Sequence, residues 1–281
     1  MKKSVSLVLI LILGLSCLLL MGLKLQIDRI PRHKIPGSSI IYIPSGKYLK
    51  MATFGFSSLM ADIVYLWAIQ YYGNAAIPNK LDHFVHIFSI IAELDPRYVD
   101  PYEVGALIAL YDAKNVPLAL QILDMGLAKN PDMWIFPLEA GHYAQLYKRD
   151  FPLAREYYKK AMDIPGAPDF AKRLYANASF KAWDIETAWE TWLEVHDTAK
   201  DERLRKIASN HLYNIKATVD IRGLRSVLEK YKAKYGGYPD ELSGIVQAGL
   251  LPFIPKDYDN KDYVYDPKTG EVKTAVIPWK R

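Results

Sequence analysis

A short pattern of residues recurs in this chain at intervals of 34 and 35 residues. Matching positions in three successive segments are Ala119, Leu123 and Gly126, then Ala154, Tyr158 and Ala161, then Ala188, Trp192 and Val195. Small pairs recur with the same interval: Ala106 and Ala109, Gly141 and Ala144, Ala176 and Ser179. Prolines separate the segments at Pro96, Pro131 and Pro165. This period is typical of solenoids of paired helices, in which small residues allow close packing and a proline ends each pair.

The pattern resembles the tetratricopeptide repeat over roughly residues 57–200. Tyr102, Pro137 and Lys172 occupy the position where that family usually has tryptophan, whereas the bulky position of its second helix is filled by Leu123, Tyr158 and Trp192. The resemblance implies repeat units at 100–131, 134–165 and 169–199, preceded by a divergent unit with helices from Ser57 and from Leu81 to Leu94. A helical bundle without true repeats is the alternative.

In the tetratricopeptide family, the first helices of successive pairs line a concave surface. If Ala106, Gly141 and Ala176 mark the family's small position, six polar residues face this groove: Asp100, Glu103, His142, Gln145, Arg173 and Asn177. Such side chains could bind the backbone, a terminus or the charged side chains of a partner peptide. Solvated helix surfaces have the same composition, so a surface without a binding role is the alternative interpretation.

The N-terminal segment Ser4–Leu23 contains twenty residues without a charge. As a helix it would be roughly 30 Å long, which matches the hydrocarbon thickness of a bilayer. We therefore expect a transmembrane anchor over residues 1–24. A cleaved signal peptide and a lipoprotein signal ending at Cys17 are the alternatives, although the apolar run continues past the small residues that cleavage requires.

The positive charge of the chain is concentrated near this segment. Residues 1–50 contain eight lysines and arginines and one acidic residue, a balance of +7, so that residues 51–281 carry −2 of the total +5. Lys24, Arg29, Arg32 and Lys34 could therefore contact anionic lipid, whereas the body has no overall attraction for nucleic acid. The same four cations load the far flank of the helix with more positive charge than Lys2 and Lys3 give the near flank, which favours the opposite orientation. A short N-terminal tail, however, usually stays in the cytoplasm, so we expect a single-pass protein of a bacterial cytoplasmic membrane with its body on the periplasmic side.

Residues 25–56 contain prolines and glycines around the apolar run IIYI, which favours an extended connector over another helix. The following segment places Leu59, Ile63, Leu66 and Ile69 at steps of three and four residues, which indicates a helix that ends before the break at 74–79.

Residues 201–281 leave the repeat pattern. We expect two helices interrupted near Arg222 and Gly223, a turn at 236–239, a short helix ending near Gly249 and a β-hairpin around Tyr263 and Tyr265. This tail is similar to the C-terminal part of the major pseudopilins of type II secretion, in which an aspartate loop binds calcium.

Two groups of residues could be metal ligands, but their spacing matches known metal sites only in part. The spacing of Asp257, Asp259, Asp262 and Asp266 departs from the pseudopilin calcium loop and lacks the glycine of an EF-hand. His83 and His86 have no third ligand at a matching spacing. The sequence predicts no metal and no cofactor.

These patterns predict a mainly α fold: a solenoid of paired antiparallel helices resembling tetratricopeptide repeats, with an N-terminal transmembrane helix and a small α+β appendage. No catalytic motif was found, since the sequence contains no Gly-rich phosphate-binding loop, no GxSxG nucleophile elbow and no HExxH. We therefore expect a membrane-anchored scaffold that binds partner proteins of a membrane-associated assembly. The alternatives are a permanent structural subunit of a transporter, pilus or secretion complex and a hydrolase of the cell envelope.

Overall fold

Helices make up most of the chain in the computed structural model, which describes residues 2–28, 44–74, 77 and 80–277 and gives only the backbone of residues 2–11, 27 and 28. The first four helices are α1 (Lys2–Asp28), α2 (Gly46–Ala52), α3 (Ser57–Gly73) and α4 (Phe84–Leu94). The next six are α5 (Asp100–Tyr111), α6 (Val116–Lys129), α7 (Ile135–Tyr143), α8 (Phe151–Asp163), α9 (Phe170–Lys181) and α10 (Ile185–Asp197). They are followed by α11 (Glu202–Tyr235), α12 (Ser243–Gln247) and the strands β1 (Val264–Asp266) and β2 (Glu271–Lys273). The mainly α prediction is confirmed.

The helices from α3 to α10 pack in consecutive pairs. The helix α3 packs on α4, α5 on α6, α7 on α8 and α9 on α10, and each pair also contacts the next. Pro96, Pro131 and Pro165 lie just after α4, α6 and α8, where a residue without an amide proton ends the second helix of a pair. The predicted repeat-like architecture of helical pairs is present.

The small residues of the repeated pattern lie in the contacts between helices. The repeated small pairs are all buried: Ala106 and Ala109, Gly141 and Ala144, Ala176 and Ser179. A Cβ atom at Gly141 would lie 2.5 Å from the ring of Tyr158, and one at Gly126 would lie 2.9 Å from the ring of Phe136. A larger side chain would therefore force the helices apart, which explains the periodic spacing of small residues.

The turn before each second helix also repeats. A residue with left-handed backbone comes first in each case: Lys114 at φ 50°, Arg149 at φ 54° and Trp183 at φ 65°. The following residue caps the helix, since the side chains of Asn115, Asp150 and Asp184 accept hydrogen bonds from amides three residues ahead. The amides of the same three residues donate to the carbonyls of Ala109, Ala144 and Ser179 at 2.9, 3.0 and 2.9 Å. Three successive units thus share a left-handed residue followed by a side-chain cap, although the third turn is one residue shorter.

Asn130 links two neighbouring helical pairs. Its side chain is fully buried, and its Nδ2 donates to the carbonyl of Pro96 at 2.7 Å and to that of Gly126 at 3.2 Å. On the surface, Arg97 pairs with Asp132 at 2.7 Å across the same junction. The buried amide therefore fixes the turn after α4 against the end of α6.

The helix α3 is apolar on two sides. Ala61, Val64, Tyr65, Ala68, Tyr71 and Tyr72 face the core. The residues at helical steps in the sequence face outward instead: Leu59, Ile63, Leu66 and Ile69 are 57%, 52%, 58% and 38% exposed. The spacing thus predicted the helix correctly without showing which of its two apolar sides meets the core.

The helix α11 differs from the sequence prediction, because it runs through Arg222 and Gly223 without interruption. A Cβ atom at Gly223 would meet nothing within 4 Å, so neither close packing nor a special backbone requires a break there. The first half of α11 packs on α10 through Leu212 and Ile215. Its second half, through Leu224 and Leu228, forms a separate core with α12 and the strands.

The predicted hairpin is present. The strands β1 and β2 pair antiparallel with Tyr265 opposite Val272. Gly270 in the turn has φ 73°, and a Cβ atom there would lie 2.5 Å from the ring of Tyr238. Tyr263 Oη donates to Asp220 at 2.7 Å, which ties the hairpin to α11.

The N-terminal region is described in part. The connector was expected to be extended, but its last residues form α2, which packs on α4. The IIYI run, residues 40–43, lies outside the described residues, and so do Arg29, Arg32 and Lys34. Among the residues that the structure describes, no helix combines the length and apolarity that a membrane crossing requires.

Candidate partner-binding surfaces

Asp100 and Glu103 lie together on α5, and the structure adds Glu139 of α7 to them. Burial, the charge of Glu139 and the charge of Asp100, in that order, raise the pKa of the half-buried Glu103 carboxyl. Burial first, then Tyr98, Asp100 and Glu103, raises the pKa of Tyr65 on α3 to about 12. Asp100, Glu103 and Glu139 therefore form an acidic surface on the first helices of two successive pairs, next to the buried Tyr65 of α3.

His142 and Gln145 lie next to each other along α7 and the π-helical turn that follows it at Ala144–Lys148. The rings of His142 and Tyr158 pack edge to face, with 5.6 Å between their centroids. The His142 ring therefore takes part in the packing between α7 and α8. Gln145 Oε1 is buried without a hydrogen-bond partner in the described part of the chain. A π-turn of this kind is often found near a functional site.

Arg173 lies in an open cleft of about 690 Å³. The cleft is bounded by the end of α8, the start of α9, the turn between α10 and α11, and the first turns of α11. Its apolar wall is formed by Met162, Val195, Leu204 and Ile207, and its cations are Lys172, Arg173, Lys200 and Arg203. Of the six predicted groove residues, only Arg173 lines this cleft.

Most charges in the cleft already have partners. Lys172 pairs with Glu194, and Lys200 lies 3.8 Å from Asp169. Asp201 caps α11 by accepting a hydrogen bond from the amide of Leu204 at 2.7 Å. Within the described part of the chain, no ion pair joins these carboxylates to Arg173 or Arg203.

Arg173 has an unsatisfied donor. Within the described residues, its Nε is buried and has no hydrogen-bond partner. Burial and then the charge of Arg173 lower the pKa of His211 to about 4, so that this neighbour stays neutral and adds no second positive charge. Arg173 therefore lines the cleft with a charged side chain whose covered Nε–H is unsatisfied.

Asn177 is half-buried on α9, one turn after Arg173. Five of the six predicted residues thus occupy three local environments, the acidic surface, the π-turn and the cleft, whereas Asn177 lies outside the lining of the cleft. Glu139, Lys200 and Arg203 were missed. Glu139 follows Glu103 by 36 residues, which lies outside the repeat interval of 34 or 35, and the cleft residues come from separate segments that only the folded chain brings together.

The aspartates of the C-terminal loop have structural partners. Asp257 is 4% exposed; it accepts hydrogen bonds from Tyr213 Oη and from the amides of Asp259 and Lys261. Asp266 accepts from the Thr269 hydroxyl within the hairpin turn. Over the described ranges, no group of three histidines, cysteines or carboxylates is placed to hold a metal ion.

Comparisons with protein-family models and with curated proteins found no match to this chain. The likeness to the tetratricopeptide repeat and that of the tail to pseudopilins therefore remain predictions from the sequence.

Proposed function

We propose that this chain is a membrane-tethered scaffold of tetratricopeptide-like repeats that binds an acidic segment of a partner protein in the cleft. The buried Nε of Arg173, which lacks a partner, carries this proposal. Leaving such a donor unpaired costs about 1–3 kcal/mol, and more when the group is charged. A carboxylate from a partner would remove this cost.

The chemistry of the cleft indicates what kind of segment fits. Arginine binds a carboxylate through two parallel hydrogen bonds, and Arg203 supplies a second cation at the same site. The wall of Met162, Val195, Leu204 and Ile207 would cover an apolar side chain beside the carboxylate. We therefore expect a partner peptide in which aspartate, glutamate or a C-terminal carboxylate neighbours an apolar residue.

Two further parts of the proposal rest on the sequence and on local geometry. The recurring burial, caps and left-handed turns of the helical pairs support tetratricopeptide-like units. The uncharged sequence Ser4–Leu23 lies within the continuous helix α1, where Leu18 and Leu20 are 69% and 65% exposed, and this supports a lipid tether although no described helix meets the length and apolarity of a membrane crossing. The periplasmic side proposed for the body rests on the short N-terminal tail. The acidic surface around Glu103 would be a second contact for the partner.

Cross-linking in intact cells tests the cleft. A photo-reactive residue is introduced at the exposed Thr198 on the rim of the cleft or, for comparison, at the exposed Ser226 of α11. We expect a discrete adduct at Thr198 only, with the cross-linked partner peptide containing aspartate, glutamate or its own C-terminus. An adduct of equal yield at both positions would contradict a binding site in the cleft.

Substitution of Arg173 supplies the energetic test. Loss of a charge-assisted pair predicts that Arg173→Ala lowers the affinity for the cross-linked partner by at least about tenfold, and Arg173→Lys by less. The matched control Arg225→Ala, on the exposed side of α11, leaves the affinity unchanged. Isothermal titration with the identified peptide measures affinity, and thermal unfolding confirms that all three variants fold. Equal affinities of Arg173→Ala and Arg225→Ala would refute the proposal.

A permanent structural subunit is the second candidate, because the outward side of α3 is apolar. Extraction in a gentle detergent distinguishes a permanent subunit from an exchanging scaffold, since a permanent subunit co-purifies with its partners at fixed stoichiometry and an exchanging scaffold does not.

The hydrolase alternative requires two available carboxylates in one cleft. The carboxylates in this cleft, Asp169 and Asp201, lie against Lys200 and cap α11, respectively.

A further inference from the structure

The outward side of α3 is an apolar surface at one end of the stack of helical pairs. Leu59, Ile63 and Leu66 are more than half exposed, although the opposite side of the same helix is fully committed to the core. A helix that is apolar on both sides is normally covered on both. Scattered exposed leucines need no explanation, whereas a row of them at helical spacing indicates a surface that meets another apolar phase.

The preceding elements present more apolar side chains. Tyr48 and Met51 of α2 are 66% and 62% exposed, and Phe54 and Phe56 in the turn to α3 are 91% and 70% exposed. Phe54 also has φ 49°, a left-handed conformation that is unfavourable for a residue with a Cβ atom. The turn thus holds a phenylalanine in solvent at an energetic cost.

Charge identifies the occupant of this surface. From Arg29 to Ala61 the sequence contains no aspartate or glutamate, although the exposed Asp62 follows on α3 between Leu59 and Leu66. Lys47 and Lys50 alternate with the exposed residues of α2, and Lys50 Nζ donates to the carbonyl of Glu93 at 3.1 Å. Lys24 and the basic residues at 29–34 precede them. Lysines interleaved with phenylalanine, tyrosine and aliphatic residues match the interface of an anionic bilayer, where rings enter the acyl boundary and ammonium groups meet phosphates. An apolar helix of another protein would not require that α2 and the following turn carry lysines and no acidic residue.

We infer that the exposed residues of α2, the following turn and α3 rest in the interface of a bilayer that contains anionic lipid. This membrane-facing surface comprises Tyr48, Met51, Phe54, Phe56, Leu59 and Leu66. The stack of helical pairs then lies with its first pair against the lipid instead of standing away from it on the connector. The inference depends on the proposed tether only because the tether brings this surface to a membrane. The experiment below measures the membrane contact of the tether and that of the surface separately.

Depth-dependent quenching in the full-length protein tests this inference. The chain has one cysteine, Cys17, so three proteins with single cysteines report on three places. They are the native chain, Cys17→Ser with Ser58→Cys, and Cys17→Ser with Ser226→Cys. Ser58 is exposed beside Leu59, and Ser226 is exposed on α11. Each is labelled with an environment-sensitive fluorophore and reconstituted into vesicles of phosphatidylcholine and phosphatidylglycerol that contain spin-labelled lipid.

Interfacial burial predicts that the label at Ser58→Cys is quenched about threefold more than the label at Ser226→Cys. Adding Phe54→Ser should weaken the quenching at Ser58→Cys, whereas Phe253→Ser, which removes a 68% exposed phenylalanine elsewhere, should not. Vesicles of phosphatidylcholine alone should give less quenching at Ser58→Cys because the lysines lose their anionic partners.

The outcomes separate the tether from the surface. Quenching at Cys17 without quenching at Ser58→Cys would overturn the inference and leave the tether intact. Quenching at Ser58→Cys without quenching at Cys17 would support the inference and refute the tether. Equal quenching at Ser58→Cys and Ser226→Cys, or a blue-shifted emission at Ser58→Cys without quenching, would overturn the inference; the latter would show that protein covers this surface.

Discussion

Single polar residues carry much of the specificity of this fold. His211 illustrates this, because its ring stacks on Trp192 with 3.8 Å between centroids while burial and Arg173 hold its pKa at about 4. The residue therefore contributes an aromatic surface and remains neutral. Asn130 is similar, since one buried amide connects two successive turns.

The depressed pKa of His211 predicts an acid-sensitive stability. Between pH 6.5 and pH 4 the unfolded chain takes up a proton on this histidine and the folded chain does not, so the free energy of unfolding should fall by at most about 3 kcal/mol as the pH falls through this range. His211→Phe should lose this part of the pH dependence, while the control His83→Gln, at an exposed position, should retain it. Urea unfolding at pH 7 and pH 4.5 measures the difference. Identical pH dependence in His211→Phe and the wild type would contradict the prediction.

At the scale of elements, the helical pairs are fixed by close contacts at glycine and alanine. The sequence predicted these pairs because the size of a side chain at a close contact is a local property with a fixed period. The continuity of α11 was not predicted, because Gly223 was interpreted as a break. The helix continues through this glycine because the segments on both sides of it have their own packing partners. The cleft around Arg173 could not be predicted, because four segments form it and their positions depend on tertiary packing.

Two glycine substitutions separate close contact from helix propensity. Gly141→Ala places a Cβ atom 2.5 Å from the ring of the buried Tyr158 and should destabilise the protein by about 1–3 kcal/mol. Gly223→Ala meets nothing within 4 Å in a helix interior and should stabilise it by about 0.5–1 kcal/mol. Chemical denaturation of both variants gives the two free energies. Opposite signs are expected, and destabilisation of similar size by both would refute the assignment of Gly141 to a helix contact.

At the scale of the whole molecule, the buried residues form three clusters. The largest spans α3 to α9, a second joins α9 and α10 to the start of α11 up to Ile215, and a third joins α11 from Tyr213 to Leu228 with α12 and the hairpin. Because these clusters are distinct, we expect the C-terminal unit to open separately from the repeats.

Leu228, which is fully buried in the third cluster, tests this independence. Leu228→Ala should cost about 2–5 kcal/mol locally. Hydrogen exchange followed by mass spectrometry should show lost protection in the hairpin and the end of α11, with protection of α5–α8 retained. The reciprocal control Leu123→Ala, which is buried in the largest cluster, should affect α5–α8 first. Uniform loss of protection in Leu228→Ala would indicate one cooperative unit.

The uninterrupted course of α11 has a mechanical consequence. Its 34 residues form a rod of about 50 Å, gripped by the last helical pair along one half and by the terminal hairpin along the other. A force applied at the hairpin would therefore be transmitted to the last helical pair through one continuous helix.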